Sequence, residues 1–193
     1  MEWFERSPLR WEMEQLIARQ FMANVEAGFD EKGRAIIKGT FKLISQHGHE
    51  YGSFKIRLVY PVGFPAKEHV PSVYLDSHRS TWENSADAHF FPDWKLCLFV
   101  PGESPIDFSN QESLKDLFAV LRVFLFKERM YQRDLIIQAI TGKRAVWPGE
   151  ARAHGIKGII EAIQERRGLR PEEQCLCGSG RKFKRCCQSI IGG

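Results

Sequence analysis

Apolar residues recur along this chain with two periods. Near the N-terminus Leu9, Met13, Leu16, Ile17, Phe21 and Val25 share one face at helical spacing, with Ser7-Pro8 as a start signal and Gly28 as a stop. Further on, Ile37, Gly39, Phe41 and Leu43 alternate with polar residues, and so do Phe54, Ile56, Leu58 and Tyr60. Alternation of period two is the mark of a half-buried strand. The segment His47 to Gly52 between them reads as a turn, which predicts a hairpin. A proline-punctuated loop from Pro61 to Pro71 leads to a third short strand at Val73–Leu75.

From Asp76 to Lys95 no period holds, and a loop of that length inside a compact domain commonly has a function. It ends on the apolar run Leu96-Cys97-Leu98-Phe99-Val100. Ser109 and Glu112 form a capping-box pattern ahead of Leu114, Leu117, Phe118, Leu121, Phe124 and Leu125 at helical spacing. A further helical stretch covers Tyr131 to Ile140, stopped by Gly142, and Trp147-Pro148-Gly149 reads as a turn. A last helix is predicted to include Ile156, Ile159, Ile160 and Ile163. Strands in one run and helices in another indicate an α+β fold: an N-terminal helix, an antiparallel meander sheet and C-terminal helices.

The chain has 193 residues, 43% hydrophobic and 27% charged, enough for one core-forming domain and a small appendage. The predicted division is a main domain over 1–167, a linker over 168–174 and a tail over 175–193. No apolar run approaches the roughly 18 residues of a membrane span. The N-terminus lacks the layout of a secretion signal, so a cytoplasmic location is expected. The net charge of +4 is uneven: residues 166–193 hold seven Arg and Lys against two Glu. Four metal-bound thiolates in that tail would lower the excess from five to about three, which argues against a nucleic-acid partner.

Four of the five cysteines, Cys175, Cys177, Cys186 and Cys187, fall within the tail. Four thiolates suit a closed, tetrahedral, structural zinc site, and Gly178 and Gly180 let the backbone turn tightly beside it. A segment this short buries too little apolar surface to fold alone, so zinc would supply the folding energy. The run from Cys175 to Cys187 follows C-x-C-G-S-G-x-K-[FY]-K-x-C-C and resembles the SEC-C motif of many bacterial proteins. That resemblance implies a zinc knuckle that contacts protein partners.

Cys97 stands alone between Leu96 and Leu98. It reads either as a buried core cysteine or as a nucleophile at the edge of the long loop. Here a second resemblance enters. Phe54 to Leu75, with Tyr60-Pro61 at the end of an apolar strand, is similar to the second and third strands of the ubiquitin-conjugating enzyme fold. His89-Phe-Phe-Pro-Asp-Trp-Lys-Leu-Cys97-Leu98 is similar to that family's H-P-N … D-G-x-I-C-L segment. The resemblance implies a thioester on Cys97, supporting roles for His89 and for Asp107 as a carboxylate base that takes a proton from an incoming amine, and no cofactor for transfer itself.

This chain departs from the pattern in having Phe90-Phe91 in place of Pro-Asn and Trp94 in place of the glycine. The resemblance gives that asparagine the role of stabilising the oxyanion when an amine attacks the thioester, so its absence either removes ligation to lysine or hands the role elsewhere, with Asn84 the candidate. The departures resemble the divergent bacterial branch found in anti-phage CBASS operons, where such enzymes join their cysteine to the C-terminus of a cGAS-like nucleotidyltransferase and regulate it. The implied partner is a protein whose C-terminus ends in a small residue, activated by another, ATP-dependent protein. The competing expectation is a module of the same fold that binds proteins without catalysis, with the zinc tail as a second contact.

Overall fold

Alternation is obeyed most closely by the two central strands, and they organise the rest. The computed structural model describes residues 2–45, 47–99, 104–148, 171–173 and 181–185. Strand β2 (Ala35–Ile44) pairs antiparallel with β3 (Glu50–Val59), setting Ile37 opposite Leu58 and Phe41 opposite Phe54. Ile37, Phe41, Leu43, Phe54, Ile56 and Leu58 are all buried, as the period-two pattern predicts. In the connecting turn the Ser45 hydroxyl accepts from the backbone N–H groups of His47 and His49. Strand β4 (Ser72–Leu75) adds to β3 with Val73 opposite Leu58. With β1 (Met22–Phe29) on the other side, the sheet is an antiparallel meander in the order β1-β2-β3-β4. The architecture is mixed α+β.

Strand β1 is a departure from the sequence reading, which extends the first helix to Gly28. The long N-terminal helix α2 (Pro8–Phe21) stops at Phe21 and the chain passes directly into the strand. Met22 is buried opposite Phe41, and pairing with β2 satisfies the backbone there. The signal is hidden because β1 lies at the sheet edge with most of its side chains exposed, and because its register shifts between Ala23 and Glu26. Asn24 takes a left-handed φ of 53° at that bulge.

The buried face of α2 also differs. Leu9 is 78% exposed and Leu16 54% exposed, whereas Arg10, Glu14, Ile17 and Ala18 are buried. Two opposite charges one turn apart can enter a core only if each is satisfied. Here Arg10 Nε donates to Glu14 at 2.7 Å and Arg10 Nη2 donates to the Phe108 carbonyl at 3.2 Å. The Tyr60 hydroxyl donates to the second Glu14 oxygen at 2.9 Å. A short helix α1 (Trp3–Arg6) precedes α2 and seats Trp3 against Trp11, Tyr60 and Phe64.

Helix α3 (Ser113–Thr141) joins the two stretches predicted separately into one 29-residue helix. Ser109 is no cap for it: its hydroxyl donates to Asp107 and the helix begins four residues later, at Ser113. Leu114, Leu117, Phe118, Leu121, Phe124 and Leu125 are buried as expected. Phe118 stacks between Phe21 and Phe41, so α3 lies on the sheet face that carries Phe41. Gly142 ends the helix in the left-handed conformation, φ 72°, and its N–H donates to the Gln138 carbonyl.

By contacts the chain divides into two units, one of residues 1–98 and 105–148, the other of 99–104 and 149–193. The predicted last helix with Ile156, Ile159, Ile160 and Ile163 lies outside the described residues, as do Cys175, Cys177, Cys186 and Cys187. Among the described residues no helix is long and apolar enough to cross a membrane.

Candidate functional site

The loop between β4 and Cys97 lacks periodicity because its backbone bonds run to itself and to neighbouring strands. Asp76 opens it, taking a two-pronged contact from Arg57 at 3.0 and 3.2 Å and a further one from Arg79. The Lys55 N–H donates to Ser77 Oγ, and the His78 and Trp82 rings close over Phe54. Gln132 on α3 then grips the loop at Glu83 like a strand partner, accepting from its N–H at 2.8 Å and donating to its carbonyl at 3.0 Å. Asn84 Nδ2 donates across the loop to the Pro92 carbonyl at 3.0 Å. The returning segment pairs with β4: the Leu75 N–H donates to the Trp94 carbonyl and the Leu96 N–H to the Val73 carbonyl. The last tie is Cys97 N–H to the His89 carbonyl, 2.8 Å. His78, His89 and Trp94 all have left-handed φ values, of 63°, 54° and 65°.

Cys97 therefore emerges just past a short paired segment. Leu96 before it is buried, whereas Cys97 is half-buried. Its thiol is pushed above the ordinary cysteine value by that burial, an effect which the positive charge of Lys95 partly offsets. His89 reaches Cys97 through its backbone, while its ring lies against Trp147 at 4.0 Å between centroids and edge-on to Phe124.

Of the four residues expected to form the site, Cys97 and His89 are bonded neighbours and Asn84 braces the same loop through Pro92. Asp107 is bonded within its own turn. It is exposed and accepts from the Ser109 hydroxyl and N–H at 2.6 and 2.9 Å, which holds its carboxyl below the ordinary range and weakens it as a base. It lines a groove of about 510 Å³ with Pro105, Asn110, Ser113 and Asp116 at the start of α3, a lining that includes none of Cys97, His89 and Asn84.

Sequence reasoning passed over the residues behind His89. Glu128 on α3 is fully buried. One of its oxygens accepts from Trp147 Nε1 at 2.8 Å and the other from Gln132 Nε2 at 2.7 Å. Burial raises its carboxyl to about 7; the two donors pull it down and the nearby Glu83 pushes it up. The available signal was a charged residue within the buried stripe, since Glu128 follows Leu121, Leu125 and precedes Gln132 at helical spacing.

In the tail, the described residues show a 3-10 turn (Phe183–Arg185) with Phe183 buried. The Phe183 N–H donates to the Glu173 carbonyl and the Lys184 N–H to the Pro171 carbonyl. Glu172 is contacted by both Lys182 and Lys184, which hold its carboxyl below the ordinary value.

The tail carries a SEC-C motif, matched over residues 173–189. No curated protein and no solved structure matches the chain.

Proposed function

We propose that residues 1–167 form a ubiquitin-conjugating-like domain that takes a protein C-terminus onto Cys97 as a thioester. The observation that carries this reading is the placement of Cys97: half-open, immediately after a loop folded back on β4, with its N–H on the His89 carbonyl. A second supports it. Trp94, which stands where the resembled family has glycine, has the left-handed backbone that glycine adopts freely. The order of helix, four-stranded meander, loop and long helix agrees with the same layout.

In the reaction, the Cys97 sulfur bonds to the acyl carbon of a thioester on an activating protein. The donor carbon–sulfur bond breaks, and the Cys97 proton ends on the departing thiol. An amine or water then displaces the acyl group, returning the proton to Cys97. ATP is consumed by the activating protein. A small residue at the acyl terminus keeps the carbonyl accessible beside a half-buried sulfur. The CBASS resemblance makes the substrate a cGAS-like nucleotidyltransferase. The tail would hold zinc through Cys175, Cys177, Cys186 and Cys187, stiffening a docking knuckle; a SEC-C motif matched there fits this donor set.

Trapping tests the reading. In the native host, Cys97→Ser should accumulate a higher-mass ester that survives thiol reductant, and wild type a band that reductant removes. If neither form ever carries a partner, acyl transfer fails. Two observations favour the second reading, a binding module without catalysis: the thiol is raised by burial, and the loop has Phe90-Phe91 in place of the family's Pro-Asn.

A further inference from the structure

We infer that Glu128 is a positioning residue: it docks the Trp147 indole onto the His89 ring and so fixes the segment that carries Cys97. As far as it concerns catalysis this rests on the proposed role of Cys97; the docking itself does not.

Trp147 Nε1–H and Gln132 Nε2–H both point at Glu128, one at each oxygen. Two converging N–H donors complement a carboxylate, whereas a carboxamide offers only one acceptor and an apolar side chain none. Trp147 lies 19 residues beyond Glu128, past the end of α3, so this contact pins a segment outside the helix to its buried face. The pinned indole covers the His89 ring at 4.0 Å, and Phe124 flanks both rings. His89 in turn offers its carbonyl to the Cys97 N–H. From its other oxygen Glu128 holds Gln132, which grips Glu83 at the far end of the loop. One carboxylate thus braces the loop at Glu83 through Gln132 and at His89 through Trp147.

The charges around it are mixed. Glu83 repels its charge, Tyr131 lies close enough to feel it, and Asp87 and Arg144 act on Tyr131. Lys127 sits over the Trp147 ring at 5.2 Å, and the titratable His89 ring lies against the same indole at 4.0 Å, which makes Glu128→Gln the control for the carboxylate. Both donors favour the ionised form, so protonation weakens the dock. With the carboxyl near 7, this falls around neutral pH.

The test is nuclear magnetic resonance on the full chain. The Trp147 indole N–H peak, identified as the one lost in Trp147→Phe, should shift between pH 6 and 8 with a midpoint near 7. Glu128→Gln should hold that peak and flatten its pH dependence, and Glu128→Leu should move it toward the solvent-exposed position. Iodoacetamide should modify Cys97 several-fold faster in Trp147→Phe than in wild type, with Glu128→Gln closer to wild type. Trp147→Phe keeps the proposal testable if Glu128→Leu does not fold. An indole peak that does not move between pH 6 and 8, one that still titrates in Glu128→Gln, or Cys97 reactivity unchanged in Trp147→Phe, overturns it. None of these readouts needs a thioester, so failure of the acyl-transfer reading leaves them intact.

Discussion

At the scale of single residues, Trp94 in the long loop and Cys97 at its end make measurable demands. Trp94 adopts φ 65°, which costs a residue with a Cβ on the order of 1 kcal/mol. Its ring contact with Phe90 offsets part of that, with centroids 5.2 Å apart. Alanine and glycine both lose the ring, and only alanine retains the backbone cost. Trp94→Gly should therefore be more stable than Trp94→Ala by about 1 kcal/mol, read from denaturant midpoints. Cys97 makes the second demand. A thiol pushed up by burial holds less thiolate at neutral pH than glutathione-like thiols do. Its alkylation should be slower than that of a small free thiol at pH 7.5, and its rate should still be climbing above pH 9. A pH profile that levels off below 8 would contradict the burial described for it.

At the scale of elements, α2 is held by charge as well as by apolar contact. Removing one member of a buried ion pair strands the other, at a cost of about 3–5 kcal/mol. Arg10→Ala should destabilise by roughly that amount in equilibrium unfolding. The sign with pH follows from Glu14. Its carboxyl is already raised by burial, and Arg10 opposes that rise. Without Arg10 the folded-state value climbs further above the unfolded one. Stability is then greatest when Glu14 is protonated and falls as pH rises through the folded value, so the mutant's deficit should be larger at pH 8 than at pH 5. A simpler element-scale test is the end of α3. A Cβ at Gly142 would meet nothing within 4 Å, so Gly142→Ala isolates the left-handed backbone cost, about 1 kcal/mol by thermal or denaturant unfolding.

These elements also show what could be read from sequence. Strands β2, β3 and β4 and the stripe from Leu114 to Leu125 were legible because each has one wet and one dry face. Strand β1 was not, because an edge strand with a bulge breaks alternation. Nor was the buried side of α2, because Arg10 and Glu14 reach the core only through Tyr60 and Phe108, residues far along the chain. The candidate site divides the same way: Cys97 and His89 announced themselves by local pattern. Glu128 and Trp147 meet only after the chain turns back on α3.

At the scale of the whole molecule, the motif at residues 173–189 makes metal content the measurement of choice. Protein purified with zinc should carry one ion per chain, and Cys186→Ser with Cys187→Ser should abolish it. A final consequence concerns solubility. An unprotected outer strand invites a second molecule to add on, and β1 meets this hazard with a kink at Asn24 and a register slip beside it. Deleting Asn24 would straighten that border and should turn a dispersed solution into one that forms oligomers as concentration rises, visible by light scattering.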